Sequence, residues 1–163
     1  MDVQDAIRGT FGVSSMVLKS YLEDIDDDEL MTRPGPGCNH LAWQLGHLIA
    51  SECNLLESVS PGSAVELPAG FAERHSKETT GDDNQANFST KQEYLDLMDR
   101  VQQASLAALK QTSESSLDEP SPEHFRKTFP TVGHVFLLIA THGLMHAGQF
   151  VPARRALGKP IVI

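Results

Sequence analysis

The sequence predicts an all-α protein, a single four-helix bundle formed by residues 1–163. Four segments of about 20 residues repeat apolar side chains at the spacing of a helix, which gives each segment one apolar face. No segment keeps the apolar–polar alternation of a β-strand, and segments rich in proline and glycine separate the four helices. Four amphipathic helices bury their apolar faces most simply around one shared core.

The first predicted helix covers residues 2 to about 24. Its apolar or small side chains recur every three to four residues, with charged residues between them. They are Val3, Ile7, Thr10, Ser14, Val17, Leu18, Tyr21 and Ile25. The acidic residues 24–29 and the Arg-Pro-Gly-Pro-Gly sequence at 33–37 end this helix, because proline and glycine interrupt helices.

The second predicted helix begins near Asn39, a plausible N-cap, and ends at about Val59. Its apolar face consists of Leu41, Leu45, Leu48, Ile49, Leu55, Leu56 and Val59. Glu52 lies in the centre of that face, where an unpaired carboxylate is costly. A salt bridge to Arg8 or Arg100, a carboxylate that orients a metal ligand, and a general base are all compatible with this position.

Residues 60–89 are a long polar connection, with a short helical turn expected at 73–77. A connection of this length can run the whole length of a helix, so the second and third helices need not be antiparallel neighbours. Thr90 and Glu93 form a capping-box pattern at the start of the third helix, which fades over residues 111–116. Thr131 is the expected N-cap of the fourth helix, which extends to about Leu157.

The fourth helix carries the residues of greatest chemical interest, His142 and His146. A spacing of four residues places both imidazoles on one face of a helix, where they can bind one metal ion. Both lie on the face that should be buried, together with Gln149. The alternative is a pair of core histidines that are satisfied by the backbone or by each other.

Two further histidines, His40 and His47, lie on the second helix. They share a face but are separated by roughly 10.5 Å along the helix axis, so both cannot bind the same ion. At most one of them joins His142 and His146. His40, His75, His124 and His134 are expected at the surface or at helix caps.

The charge and the cysteine content limit the classes of partner. There are 22 acidic and 13 basic side chains, for a net charge of −9, which disfavours nucleic acids and anionic membranes as partners. The longest apolar run, residues 135–140, is too short to cross a bilayer. Cys38 and Cys53 form no CxxC motif, and the acidic N-terminus is unlike a signal peptide, so we expect a cytoplasmic protein.

Several of these segments together resemble the DinB/YfiT-like superfamily. The resemblance rests on Asn39-His40-Leu41-Ala42-Trp43-Gln44-Leu45-Gly46-His47-Leu48, Phe129-Pro130-Thr131, Thr141-His142-x-x-Met145-His146-x-Gly148-Gln149 and the tail at 154–160. It implies a bundle in up-down-down-up order, with a long crossover between helices 2 and 3. It also implies a divalent metal ion held by His47, His142 and His146, and three imidazole ligands suit zinc or nickel. A departure is Pro152, which removes a backbone hydrogen bond one turn past the histidine pair.

Two functions follow from this resemblance. One is a metal-dependent enzyme, a thiol S-transferase or a hydrolase, in which a thiol or water is activated at the ion and attacks a small electrophile. The other is a non-catalytic, metal-binding stress-response protein in which the ion is structural. Small-molecule substrates, including a low-molecular-weight thiol, are therefore the expected partners.

A homodimer is expected as well, because helix 4 has a second apolar face. This face consists of Phe136, Leu137, Ala140, Leu144, Ala147 and Val151.

Overall fold

The computed structural model describes residues 1–162 and contains six α-helices in that range. The helices are α1 (Val3–Leu22), α2 (Leu41–Val59), α3 (Phe71–Arg74), α4 (Lys91–Gln111), α5 (Glu114–Leu117) and α6 (Val132–Ala156). The all-α prediction is confirmed, and the four long helices occupy the four predicted segments. Two single-turn helices are additional: α3 begins two residues before the turn expected at 73–77, and α5 lies in the segment where the third helix was expected to fade.

Side-chain caps define the starts of three long helices, with Asp2 capping α1 by accepting from the amide of Asp5. The capping box of α4 forms as predicted, with Thr90 accepting from the amide of Glu93 and Glu93 accepting from the amide of Thr90. The N-cap of α2 is His40 and not Asn39, because Nδ1 of His40 accepts a hydrogen bond from the amide of Trp43.

The two core clusters define the directions of the long helices. One cluster joins Ile7 near the start of α1 to Leu56, Leu109 and Val135, which lie at the ends of α2 and α4 and at the start of α6. The other joins the end of α1 and the end of α6 to the starts of α2 and α4. Helices α1 and α6 are therefore parallel to each other and antiparallel to α2 and α4, which is the up-down-down-up order.

The chain between α2 and α4 must run the full length of the bundle, and it packs closely on the bundle as it does so. Phe71 and His75 of this crossover are each 2% exposed. The imidazole of His75 lies against the backbone of α2, where a Cβ atom at Gly46 would fall 2.1 Å from the ring. Glycine at position 46 thus allows the crossover to reach the helix that carries His47.

Helix α6 is buried on two sides because α1 packs along it. A Cβ atom at Gly143 would lie 2.8 Å from Oγ of Ser14, so a glycine allows the close approach of α1. Phe136, Ala140 and Ala147 are at most 2% exposed within one chain, and Leu137 is 40% exposed. The apolar face that suggested a dimer is therefore largely covered by the chain itself, and the homodimer stays a prediction.

By length and composition alone, α6 is the single helix in residues 1–162 that could cross a membrane. Ten of its residues are buried, and several of them contribute to the two core clusters. A core helix of a bundle has this composition, so α6 is weak evidence for a membrane span.

The C-terminal end of α6 is attached to α1 through a buried cation. Arg154 is fully buried and donates to the backbone oxygens of Tyr21 and Pro160 and to the carboxylate of Asp24. The hydrogen bond from Arg154 lowers the pKa of Asp24 below its usual range, and the positive charge of Arg154 adds to this effect.

Candidate metal centre

Helices α2 and α6 bring together the three histidines that the resemblance indicated. His47 and His142 are half-buried, and His146 is 7% exposed. One ring nitrogen from each lies within 4.8 Å of the others, and the ring centroids are 5.0 to 5.5 Å apart. Three imidazole nitrogens at this separation could hold a metal ion and leave a coordination position for a further ligand.

A buried glutamine orients His146. Nδ1 of His146 is 2.9 Å from Oε1 of Gln44, and Nε2 of Gln44 donates to the backbone oxygen of Asn39 at 2.8 Å. Because the donation to Asn39 fixes the orientation of the amide, Oε1 of Gln44 faces His146 and accepts from Nδ1–H. The tautomer of His146 then has its lone pair on Nε2, the nitrogen that is free to bind an ion.

Trp43 connects the histidine cluster, formed by His47, His142 and His146, to the crossover between α2 and α4. Its indole stacks on the imidazole of His47, with ring centroids 5.0 Å apart and an interplanar angle of 8°. The indole Nε1–H donates to the backbone oxygen of Ser76 and to Oγ1 of Thr79. Trp43 therefore holds His47 between α2 and the crossover.

The environment keeps the three imidazoles neutral near pH 7, as metal ligands must be. Burial lowers the pKa of His142 to about 4 and that of His146 to about 3, and the neighbouring histidines add to both shifts. Burial also lowers the pKa of His47, with a smaller contribution from Lys77. The three donors are thus ready to coordinate without first losing protons.

A pocket inside the bundle reaches the cluster through His142. All four long helices line it, it has about 50 Å³ of room, and both His142 and Glu52 contribute to its wall. Among residues 1–162, Glu52 has no salt-bridge partner, and its Oε1 accepts from Oγ of Ser105 at 2.6 Å. Burial raises the pKa of Glu52 to about 7, and the hydrogen bond from Ser105 opposes that shift.

Other expected residues lie elsewhere. Gln149 is exposed and Met145 is 57% exposed, so neither continues the buried face of His146. His75 was expected at the surface or at a cap; it does follow α3, but its side chain is buried. Gln44 was missed, because its partner His146 is 102 residues away in the sequence.

We expect Gln44→Leu to weaken metal binding by roughly 10–100-fold, the usual cost of losing the residue that orients a histidine ligand. The substitution removes the acceptor for Nδ1–H of His146 but leaves all three imidazoles in place. Competition with a chromophoric chelator measures the affinity. Gln149→Leu, at an exposed position on α6, is the matched control and should leave the affinity unchanged. Equal affinities in the two variants would show that Gln44 does not orient the ligand.

The family model of the DinB superfamily matches residues 12–150, a range that includes α2 and the part of α6 that carries His142 and His146. No curated protein matches the chain at a significant level.

Proposed function

The chain belongs to the DinB superfamily, and from this membership and the histidine cluster we propose that it is a metal-dependent enzyme acting on small molecules. His47, His142 and His146 hold one divalent ion, zinc or nickel. When bound, such an ion lowers the pKa of a coordinated water or thiol and so supplies an anionic nucleophile. The substrate is a small electrophile, and the reaction is a thiol S-transfer or a hydrolysis.

The convergence of three neutral imidazoles is the observation that carries this proposal. Imidazole nitrogen suits zinc and nickel, and three protein ligands are the arrangement typical of catalytic zinc sites. Within residues 1–162, no fourth histidine, cysteine or carboxylate joins the cluster. This favours a catalytic ion over a structural ion, which usually has four protein ligands.

The surrounding residues have separate tasks in this proposal. Gln44 keeps Nδ1 of His146 protonated, and the stacked indole of Trp43 restricts rotation of His47. His142 reaches the pocket, so a substrate there is close to the nucleophile. Glu52, in the same pocket with a pKa of about 7, can accept a proton near neutral pH.

The test is turnover of two chromogenic probes, p-nitrophenyl acetate for hydrolysis and 1-chloro-2,4-dinitrobenzene with added thiol for S-transfer. Activity on at least one probe should disappear with a chelator, return with zinc or nickel, and be lost in His142→Ala at unchanged helix content. Metal-dependent stability without metal-dependent turnover would favour the structural role. Turnover that survives metal removal would contradict the proposal.

A further inference from the structure

The interior pocket combines apolar walls with one buried acid. Its walls include Phe11, Leu48, Ile49, Leu55, Met98 and Ile139. Among these apolar side chains lies Glu52, whose Oε1 accepts from Ser105. Within the described residues, Ser105 is the one residue seen to donate a hydrogen bond to this carboxyl group, which also contributes to the wall of the pocket. An acid in an apolar pocket is costly unless its charge is compensated.

The charged residues around the pocket suit a cationic ligand better than an anionic one. Among the described residues that line it, none is lysine or arginine, whereas Glu52 and Asp99 both contribute carboxyl groups. Of the described lining residues, Asp99 on α4 is the one that is exposed, so a second carboxylate lies where the lining meets solvent. Lys19 pairs with Asp99 at 2.5 Å, but both side chains are about half exposed, so solvent screens this pair.

From this arrangement we propose that the interior pocket binds a short, apolar primary amine, whose ammonium group pairs with Glu52 while its alkyl chain lies against the apolar walls. The room of about 50 Å³ fits a chain of a few carbon atoms better than a large ring system. An ammonium group donates up to three hydrogen bonds, and a carboxylate oxygen of Glu52 can accept one of them. The carboxyl group has a pKa of about 7, so a bound cation readily stabilises its ionised form.

The amine site lies beside the histidine cluster but is not part of it. His142 lines the pocket, whereas His47 and His146 do not. Amine binding therefore does not rest on the metal-dependent activity proposed above. If both proposals hold, an amine seated at Glu52 has its other end beside His142, which makes amine-bearing electrophiles the substrate class to examine.

The test is a titration of the metal-free, full-length protein with n-butylamine at pH 7, followed by the methyl resonances of Ile49 and Ile139. We expect saturable shifts with butylamine and at least tenfold weaker binding of n-butanol and butyrate. Glu52→Gln keeps the size of the side chain and its acceptor for Ser105, and it should weaken amine binding at least tenfold. Glu57→Gln, which removes an exposed carboxylate from the same helix, should bind like the wild type.

Three results would overturn the amine site: no saturable shift, equal binding of amine and carboxylate, or unchanged amine binding in Glu52→Gln. His146→Ala distinguishes this proposal from the metal centre. Amine binding should persist in that variant even though metal binding is lost. An amine that binds only after metal is added, and binds Glu52→Gln as well as the wild type, would lie at the histidines and contradict the assignment to Glu52.

Discussion

The affinity of His146→Ala for the metal ion should fall by more than the roughly 10–100-fold expected when a residue that only orients a ligand, such as Gln44, is removed. His146 is the most buried of the three imidazoles, and its orientation is fixed through Gln44. Without it, two imidazoles remain, and within residues 1–162 neither has a hydrogen bond comparable to the one from His146 to Gln44: Nε2 of His47 is 3.4 Å from Oγ of Ser51, a long contact. The remaining pair should therefore hold an ion weakly.

Elemental analysis after dialysis against a weak chelator measures this effect, and thermal unfolding with and without added zinc or nickel gives a second readout. A ligand that binds only the folded state raises its stability, so the metal-induced increase in melting temperature should disappear in His146→Ala. His134→Ala is the control, because His134 lies on the same helix but is exposed. Equal metal content in the two variants would remove His146 from the proposed ligand set.

The bundle could be predicted from the sequence because its determinants are local. The apolar spacing of α1, α2, α4 and α6, the capping box at Thr90 and the proline–glycine segments act within a few residues of one another. The histidine pair of α6 is equally local, since a spacing of four residues fixes a shared face. Joining His47 to that pair required the family resemblance, because helical spacing alone does not give the relative rotation of two helices.

The residues whose roles were not predicted depend on contacts between segments that are distant in the sequence. Gln44 meets His146 across two helices, and Glu52 meets Ser105 of α4 instead of the expected arginines. Arg8 pairs with Asp5 in its own helix, and Arg100 is exposed. The second apolar face of α6 suggested a dimer because the sequence does not reveal that α1 packs along it. In each case a side chain's environment is set by which helices become neighbours.

His75 shows how strongly a tertiary contact can change a residue's chemistry. Nδ1 lies 2.7 Å from the backbone oxygen of Phe71, and Nε2 lies 2.8 Å from the hydroxyl group of Tyr94. The neutral ring satisfies both contacts, with Nδ1–H donating and Nε2 accepting from the tyrosine. Protonation would place a second N–H against the hydroxyl donor in a buried site. Burial accordingly lowers the pKa of His75 to about 4, and the nearby Arg74, His40 and His47 add to the shift.

Metal-free protein should therefore lose stability as the pH falls from about 6.5 to about 4, in part through His75. In this range the unfolded chain, in which a histidine has its ordinary pKa of 6.5, binds a proton that folded His75 excludes. Above pH 6.5 His75 contributes no pH dependence, because it is neutral in both states. At about 1.4 kcal/mol per pKa unit, its full contribution is about 3 kcal/mol. Urea unfolding at pH 7.5, 5.5 and 4.5 measures the free energy of unfolding at each pH.

His75→Gln should flatten this pH dependence, because glutamine does not titrate while its amide can still donate and accept. The variant will be less stable than the wild type at pH 7.5, so the informative quantity is the change in stability between pH 7.5 and pH 4.5. That change should be smaller in His75→Gln by about 2 to 3 kcal/mol, because pH 4.5 lies just above the folded pKa of about 4, with the remainder due to the other buried histidines. His124→Gln, at an exposed position, is the control and should keep the wild-type change. The same pH dependence in His75→Gln as in the wild type would mean that His75 is not the buried, neutral anchor of the crossover.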